Sequence, residues 1–184
     1  LSVLPDEMNR APVATVLEGA RLSGKSTGLV VTCNLQHATP AAFAAHYPRR
    51  SDYEAICEQM VYNQVDVLLG GGLKYFTGRK DGEDLLAALK QKGYIIITSP
   101  EELKSASSSK LAGLFAEVDL AYDLDRDPTR EPSLAEMTET AIKALARNKN
   151  GFFLMVEGSK IDWANHDHDP VASVRDKMAF DRAV

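Results

Sequence analysis

Cysteine, basic clusters and long apolar runs are all scarce in this sequence. Its two cysteines, Cys33 and Cys57, lack the C-x-x-C spacing of a thioredoxin motif or a zinc knuckle. No apolar run approaches the roughly 18 residues of a membrane span. No basic run accompanies the formal net charge of −5, which argues against nucleic acid or an anionic membrane as a partner. No signal peptide is visible, since Leu1 soon gives way to the polar stretch 5–9.

Apolar residues make up 45% of the chain, as in ordinary packed proteins. Short apolar runs predict strands at 28–33, 65–69, 94–98, 111–115 and 152–156, of which the first and the last are expected to be buried. Helical periodicity and capping signals predict helices at 13–20, 41–46, 53–62, 84–90, 134–147 and 171–183. Thr39 is expected to cap the second helix, and Ser133 with Glu136 to form a capping box. The alternation predicts one α/β domain over 1–184, with a mostly parallel sheet between two helix layers.

Residues 19–26 match the nucleotide-binding pattern G-x-x-x-x-G-K-[ST]. A functional P-loop follows a strand and opens a helix, so that backbone N–H groups face the phosphates. Here the predicted order is reversed, because a helix precedes the motif and a strand follows it. We therefore expect a helix end with Gly24 at its cap, and keep a P-loop nucleotide-binding domain only as the alternative function.

Polar side chains follow two predicted strands where they end, which is where parallel α/β sheets bind ligands. These residues are Gln36, His37, Thr39, Glu157, Asp162 and His166. Asp162 and His166 are four apart, so a helical turn would aim a carboxylate and an imidazole at one point, a pairing that suits zinc. Thr39 and Glu157 offer oxygen ligands, which suit magnesium. Each feature has a simpler interpretation as well, namely a solvated polar turn for the pair and a helix cap for Thr39.

Several segments resemble the alkaline phosphatase family, in the order in which the family has them. They are residues 35–42 (LQHATPAA), 67–72 (VLLGGG), 134–138 (LAEMT) and 151–158 (GFFLMVEG). The run from Glu157 to His166, with Gly158, Ile161 and Asp162 at fixed positions, is the most specific. The resemblance extends from about Ala11 to the end of the chain.

This resemblance implies a three-layer α/β/α sandwich and hydrolysis of small-molecule phosphate monoesters. It implies two zinc ions, one magnesium and a serine that becomes phosphorylated before water releases the phosphate. By position, Asp162 and His166 match ligands of the first zinc, Thr39 and Glu157 match magnesium ligands, and Arg50 matches the arginine that grips the substrate phosphate. His37 and Trp163 occupy positions beside these ligands that vary within the family. An imidazole at His37 would favour zinc over magnesium in the third site.

The resemblance also implies parts that these residues do not contain. The family's nucleophile lies in an Asp-Ser-Ala segment, which does not occur here, so no catalytic serine is assigned. We expect that segment upstream and further zinc ligands downstream, which makes 1–184 a partial domain that is inactive alone. A periplasmic or extracellular location and a homodimer are expected for the intact protein. A non-catalytic module on the same fold is the remaining alternative.

Overall fold

A five-stranded, wholly parallel sheet forms the centre of the protein. The computed structural model describes residues 1–4 and 10–184, so the polar stretch 5–9 used above lies outside the described residues. The strands are β1 (Ser26–Asn34), β2 (Val67–Gly71), β3 (Ile95–Ile97), β4 (Leu111–Leu114) and β5 (Phe152–Glu157). Their order is β3-β4-β2-β1-β5. β1 pairs in parallel with β2 and β5, and β4 with β2 and β3. All five carboxyl ends therefore share one edge, here called the rim.

Helices cover both faces of the sheet and confirm the predicted α/β/α layering. The helices are α1 (Val16–Leu22), α2 (Ala38–Ala44), α3 (Tyr53–Tyr62), α4 (Leu85–Gln91), α5 (Pro100–Ser105), α6 (Leu134–Leu145), α7 (Lys160–His166) and α8 (Pro170–Ala183). Side chains alternate across the strands, so Leu29 and Leu68 face the core under α1 to α4. Val30 and Leu69 face the core under α5 and α6. Across the described ranges, no helix is long and apolar enough to cross a bilayer.

Local signals placed most elements correctly, with three corrections. The capping box of α6 forms as predicted, since Ser133 Oγ accepts from the backbone N–H of Glu136 and the Glu136 carboxylate accepts from Ser133 N. Thr39 is not the cap of α2. The helix begins at Ala38, and His37, two residues before Thr39, holds the cap position. The prediction missed α5, which Ser99 caps and Pro100 begins. β5 is an edge strand with partly exposed side chains rather than a buried one.

A close backbone approach fixes the rim at the end of β2. A Cβ on Gly71 would collide with the Val118 carbonyl group, because the loop after β4 crosses directly over this residue. The loop is held there by backbone N–H groups of Gly72 and Leu73, which both donate to the Ala116 carbonyl oxygen at 3.1 Å. Only glycine leaves room for this crossing at position 71.

We predict that Gly71→Ala lowers the free energy of unfolding by about 1–3 kcal/mol, the usual cost of forcing atoms into a packed site. Gly19→Ala is the matched control, because Gly19 is helical and a Cβ there meets nothing within 4 Å. The control should be neutral or stabilising by about 0.4–1 kcal/mol. Urea unfolding of both variants and the parent measures the difference. Equal midpoints for Gly71→Ala and the parent would show that the crossing is not tight.

A half-buried ion pair ties α1 to the segment after α2. His46 Nε2 lies 2.7 Å from Glu18 Oε1, and His46 Nδ1 lies 2.9 Å from the Ser2 carbonyl oxygen. Burial alone would lower the pKa of His46, but the hydrogen bond to Glu18 raises it above its ordinary value of 6.5. Burial would raise the pKa of Glu18, but the contact with His46 lowers it below 4.5. His46 is therefore a structural residue.

The stability conferred by this pair should depend on pH. A raised folded-state pKa for His46 means that its contribution is complete below about pH 6.5 and is lost as pH rises through that raised value. We predict that His46→Gln lowers stability by about 0.5–1 kcal/mol near pH 5.5, and by progressively less toward pH 9. Unfolding titrations of His46→Gln, Glu18→Gln and the double variant isolate the pair. A coupling energy that stays constant from pH 5.5 to pH 9 would contradict this account.

Candidate active site at the rim

A tight turn after β1 brings the first group of predicted residues to the rim. Asn34 ends the strand, and its backbone N–H and side-chain Nδ2 both donate to Asp119 Oδ1, at 2.7 and 2.8 Å. The His37 N–H then donates to the Asn34 carbonyl oxygen at 3.0 Å, which closes the turn. Thr39 follows in the first turn of α2 with an exposed side chain. The turn thus presents His37 and Thr39 from a fixed backbone.

His37 contacts two other predicted site residues. Its Nε2 lies 3.4 Å from Arg50 Nη2, and its ring packs edge-on against Trp163 with the centroids 5.3 Å apart. Burial and the positive charge of Arg50 lower the pKa of His37, although Glu157, Asp119 and Asp162 act in the opposite direction. These three carboxylates thus act electrostatically on the imidazole. Within the described ranges, the buried His37 Nδ1 has no hydrogen-bond partner.

Glu157 is held at the carboxyl end of β5, where it pairs in register with Val31 of β1. Its Oε2 lies 3.9 Å from the sulfur of Cys33, so the thiol points toward the carboxylate. Burial, with a smaller effect of the nearby Glu157 charge, raises the pKa of Cys33 to about 12. Both cysteines are buried and unpaired with each other. Cys33 is therefore an uncharged thiol beneath the rim.

Asp162 and His166 lie one helical turn apart on α7, and their side chains face each other. His166 Nε2 is 3.6 Å from Asp162 Oδ2, and both side chains are at least three-quarters exposed. Zinc bonds of about 2.0–2.2 Å allow two ligand atoms to be roughly that far apart. The pair therefore has the donor types and the separation that one zinc ion needs.

The metal site within these residues is incomplete. No group of three or more His, Cys, Asp or Glu side chains with metal-binding geometry occurs in the described part of the chain. Zinc normally takes three or four protein ligands. The oxygen and nitrogen donors of Asp162 and His166 thus fit zinc chemically, but they supply only part of a coordination shell.

Two residues that the sequence did not single out also lie at the rim. Asp119 follows β4, and the rule that ligands collect at carboxyl ends of strands would have found it. Lys160 begins α7 and is only 8% exposed, an unusual position for an ammonium group. Burial lowers the pKa of Lys160, while the charges of Asp119 and Asp176 partly restore it. No sequence pattern indicated the buried state of Lys160.

The P-loop-like segment lies at the opposite edge of the sheet. As predicted, α1 precedes it and β1 follows it, and Gly24 has the positive φ of 72° of a helix end. Lys25 Nζ donates to the Asn150 carbonyl oxygen, and Asn148 Nδ2 donates to the Gly24 carbonyl oxygen, at 2.8 and 2.9 Å. Because the motif follows a helix and opens a strand, it lacks the strand–loop–helix order of a P-loop, and the nucleotide-binding alternative is rejected.

Comparison with known proteins points to one family. The profile of the alkaline phosphatase family matches residues 3–184. Alkaline phosphatase 4 of Bacillus subtilis is 45% identical over 183 residues, which cover 96% of this chain and 39% of that protein. The alkaline phosphatase of Schizosaccharomyces pombe is 40% identical over 95% of this chain and 37% of its own length. The chain therefore spans about two fifths of these relatives.

Solved structures agree with the sequence comparison. The alkaline phosphatase of Thermus thermophilus superposes with a TM-score of 0.91 at 39% identity, covering 97% of this chain and 38% of that one. The cold-active enzyme of a Shewanella species gives 0.88 at 39% identity, covering 99% and 44%. A third, at 0.82 and 34% identity over 94% and 50%, is a histidine-to-aspartate variant of the TAB5 enzyme, with Mg bound in its M3 site.

Proposed function

Because this chain belongs to the alkaline phosphatase family, we propose that it forms the central part of a metal-dependent phosphomonoesterase of the phosphoserine type. The observation that carries the proposal is the 3.6 Å approach of His166 Nε2 to Asp162 Oδ2. The other assigned residues reach the same rim on separate segments. We further propose a periplasmic or extracellular location, a homodimer and small phosphate monoesters as substrates, in line with the family. A non-catalytic module is the alternative that the experiments below address.

Arg50 is the proposed phosphate-binding residue of this chain. Its guanidinium is exposed at the rim and lies beside the His37 ring. A planar guanidinium can donate two parallel hydrogen bonds to two phosphate oxygens, which orients a substrate as well as attracting it. Since burial and Arg50 lower the pKa of His37, the imidazole does not compete with Arg50 for the phosphate as a second cation.

Metal binding is assigned to two groups of residues. Asp162 and His166 would hold zinc, and Thr39 and Glu157 would hold a harder cation such as magnesium. Bound zinc would supply Lewis-acid chemistry to the phosphoryl group. The side chain of His37 lies among the same carboxylates, and imidazole suits zinc better than magnesium. We propose that His37 thereby biases the third site toward zinc, and that the serine and the remaining ligands come from other segments of the intact protein.

We predict weak but specific zinc association by the 184-residue chain. Asp162→Ala and His166→Ala should each remove most of it, because each deletes half of the pair. Glu139→Ala is the matched control, since Glu139 also forms an exposed pair four residues along a helix, with Lys143. Competition with a chromogenic chelator measures the affinity. Equal zinc binding by Asp162→Ala and the parent would contradict the assignment.

We also predict that the 184-residue chain alone hydrolyses no phosphate ester at a useful rate. It contains two ligands of one zinc and no nucleophilic serine, and catalytic residues act together rather than additively. The purified chain should show no turnover of p-nitrophenyl phosphate with zinc and magnesium at alkaline pH. Turnover that survives rigorous purification and disappears in Asp162→Ala would show that these residues form a complete enzyme.

A further inference from the structure

Lys160 occupies a slot between two aromatic rings under the rim. Its Nζ lies 4.3 Å from the centroid of the Trp163 ring and 5.0 Å from that of Tyr122. An ammonium at these distances is attracted to the face of each ring, and most strongly to tryptophan. Lys160 is only 8% exposed, so little water screens these contacts. The contact with Trp163 is therefore stronger than an ordinary surface one.

The far side of the slot is held independently of Lys160. The Tyr122 hydroxyl donates to Asp167 Oδ2 at 3.3 Å, and the next backbone N–H, of Asp123, donates to Asp176 Oδ2 at 3.2 Å. Asp176 is itself buried on α8. Tyr122 is thus anchored at both its hydroxyl and its backbone. Trp163 also packs against the hydrophobic core, and the Lys160 ammonium adds a contact on the face of its ring.

Trp163 is linked through His37 to Arg50, the proposed phosphate-binding residue. Its ring packs edge-on against His37 at 5.3 Å, and His37 Nε2 lies 3.4 Å from Arg50 Nη2. Arg50 is exposed, and in the described part of the chain its guanidinium forms no ion pair with a carboxylate. An exposed guanidinium with one weak neighbour has many rotamers available. The orientation of the His37 ring therefore affects which rotamers Arg50 adopts.

We propose that Lys160 is a positioning residue, which fixes the Trp163 indole against His37 and through it orients Arg50. The expected effect on phosphate binding rests on the proposed function, because it assumes that Arg50 binds phosphate. In this role Lys160 would act through the Trp163 ring rather than by contacting substrate or metal. The alternative is that Lys160 merely balances the buried charge of Asp176 and has no influence on the rim.

Trp163 is the one tryptophan of the chain, so its fluorescence reports on this contact directly. Lys160→Met should shift the emission maximum and increase quenching by acrylamide, since the indole ring loses its contact with the ammonium. The NMR signals of the His37 ring protons should move as well, because they lie beside the indole. Lys160→Arg should restore both, because a guanidinium also binds aromatic faces. Lys177→Met is the control, since Lys177 lies 5.2 Å from the Phe180 ring on α8, away from this slot.

Inorganic phosphate is the probe for the functional consequence. Its affinity, followed through the His37 signals, should fall about three- to tenfold in Lys160→Met and recover in Lys160→Arg. If the Met variant does not fold, Lys160→Gln carries the same expectation. Unchanged tryptophan and His37 signals in the charge-removing variant would overturn the proposal, as would a tryptophan change that leaves His37 unmoved. A parent chain that ignores phosphate would instead count against the role of Arg50, while the spectroscopic results still decide that of Lys160.

Discussion

The rim depends on the close crossing of the loop after β4 over Gly71. This crossing places Asp119 where one carboxylate oxygen accepts hydrogen bonds from both the backbone and the side chain of Asn34. Asn34 ends β1, and the turn that it closes carries His37 and Thr39. The carboxyl ends of β4 and β1, which flank β2 on opposite sides, are thus linked to each other. Without a glycine at 71, the loop could not approach, and the turn would lose the anion that holds it.

Among the described residues, neither Arg50 nor Lys160 forms a direct ion pair with the carboxylates at the rim. Asp119, Glu157 and Asp162 all act electrostatically on His37, against the burial and the Arg50 charge that lower its pKa. The cations lie on two sides of this group: Arg50 is exposed, whereas Lys160 is buried beneath Trp163. A site with several uncompensated carboxylates favours cations. A neutral imidazole and a neutral Cys33 thiol leave that negative field intact.

Much of this arrangement could be read from the sequence because its signals are local. The boundaries of α3 and the capping box of α6 follow from helical periodicity and from the Ser133–Glu136 spacing. The rim position of Glu157 follows from the rule that parallel strands share a carboxyl edge. The burial of Lys160 could not be predicted, because it depends on a tertiary contact with Tyr122, which lies 38 residues earlier in the chain. The exposure of β5 depends likewise on which strands flank it, and periodicity cannot reveal that.

The residues that build the fold and those assigned to chemistry are largely separate. Glu18 and His46 are mostly buried and satisfied by each other, so they stabilise the structure and offer nothing to a ligand. Asp162 and His166 are the reverse, with side chains at least 75% exposed and no partner but each other among the described side-chain contacts. Exposed pairs contribute little to stability, typically about 0–1 kcal/mol. This exposed carboxylate–imidazole pair, which adds little to stability, is the observation on which the proposed zinc site rests.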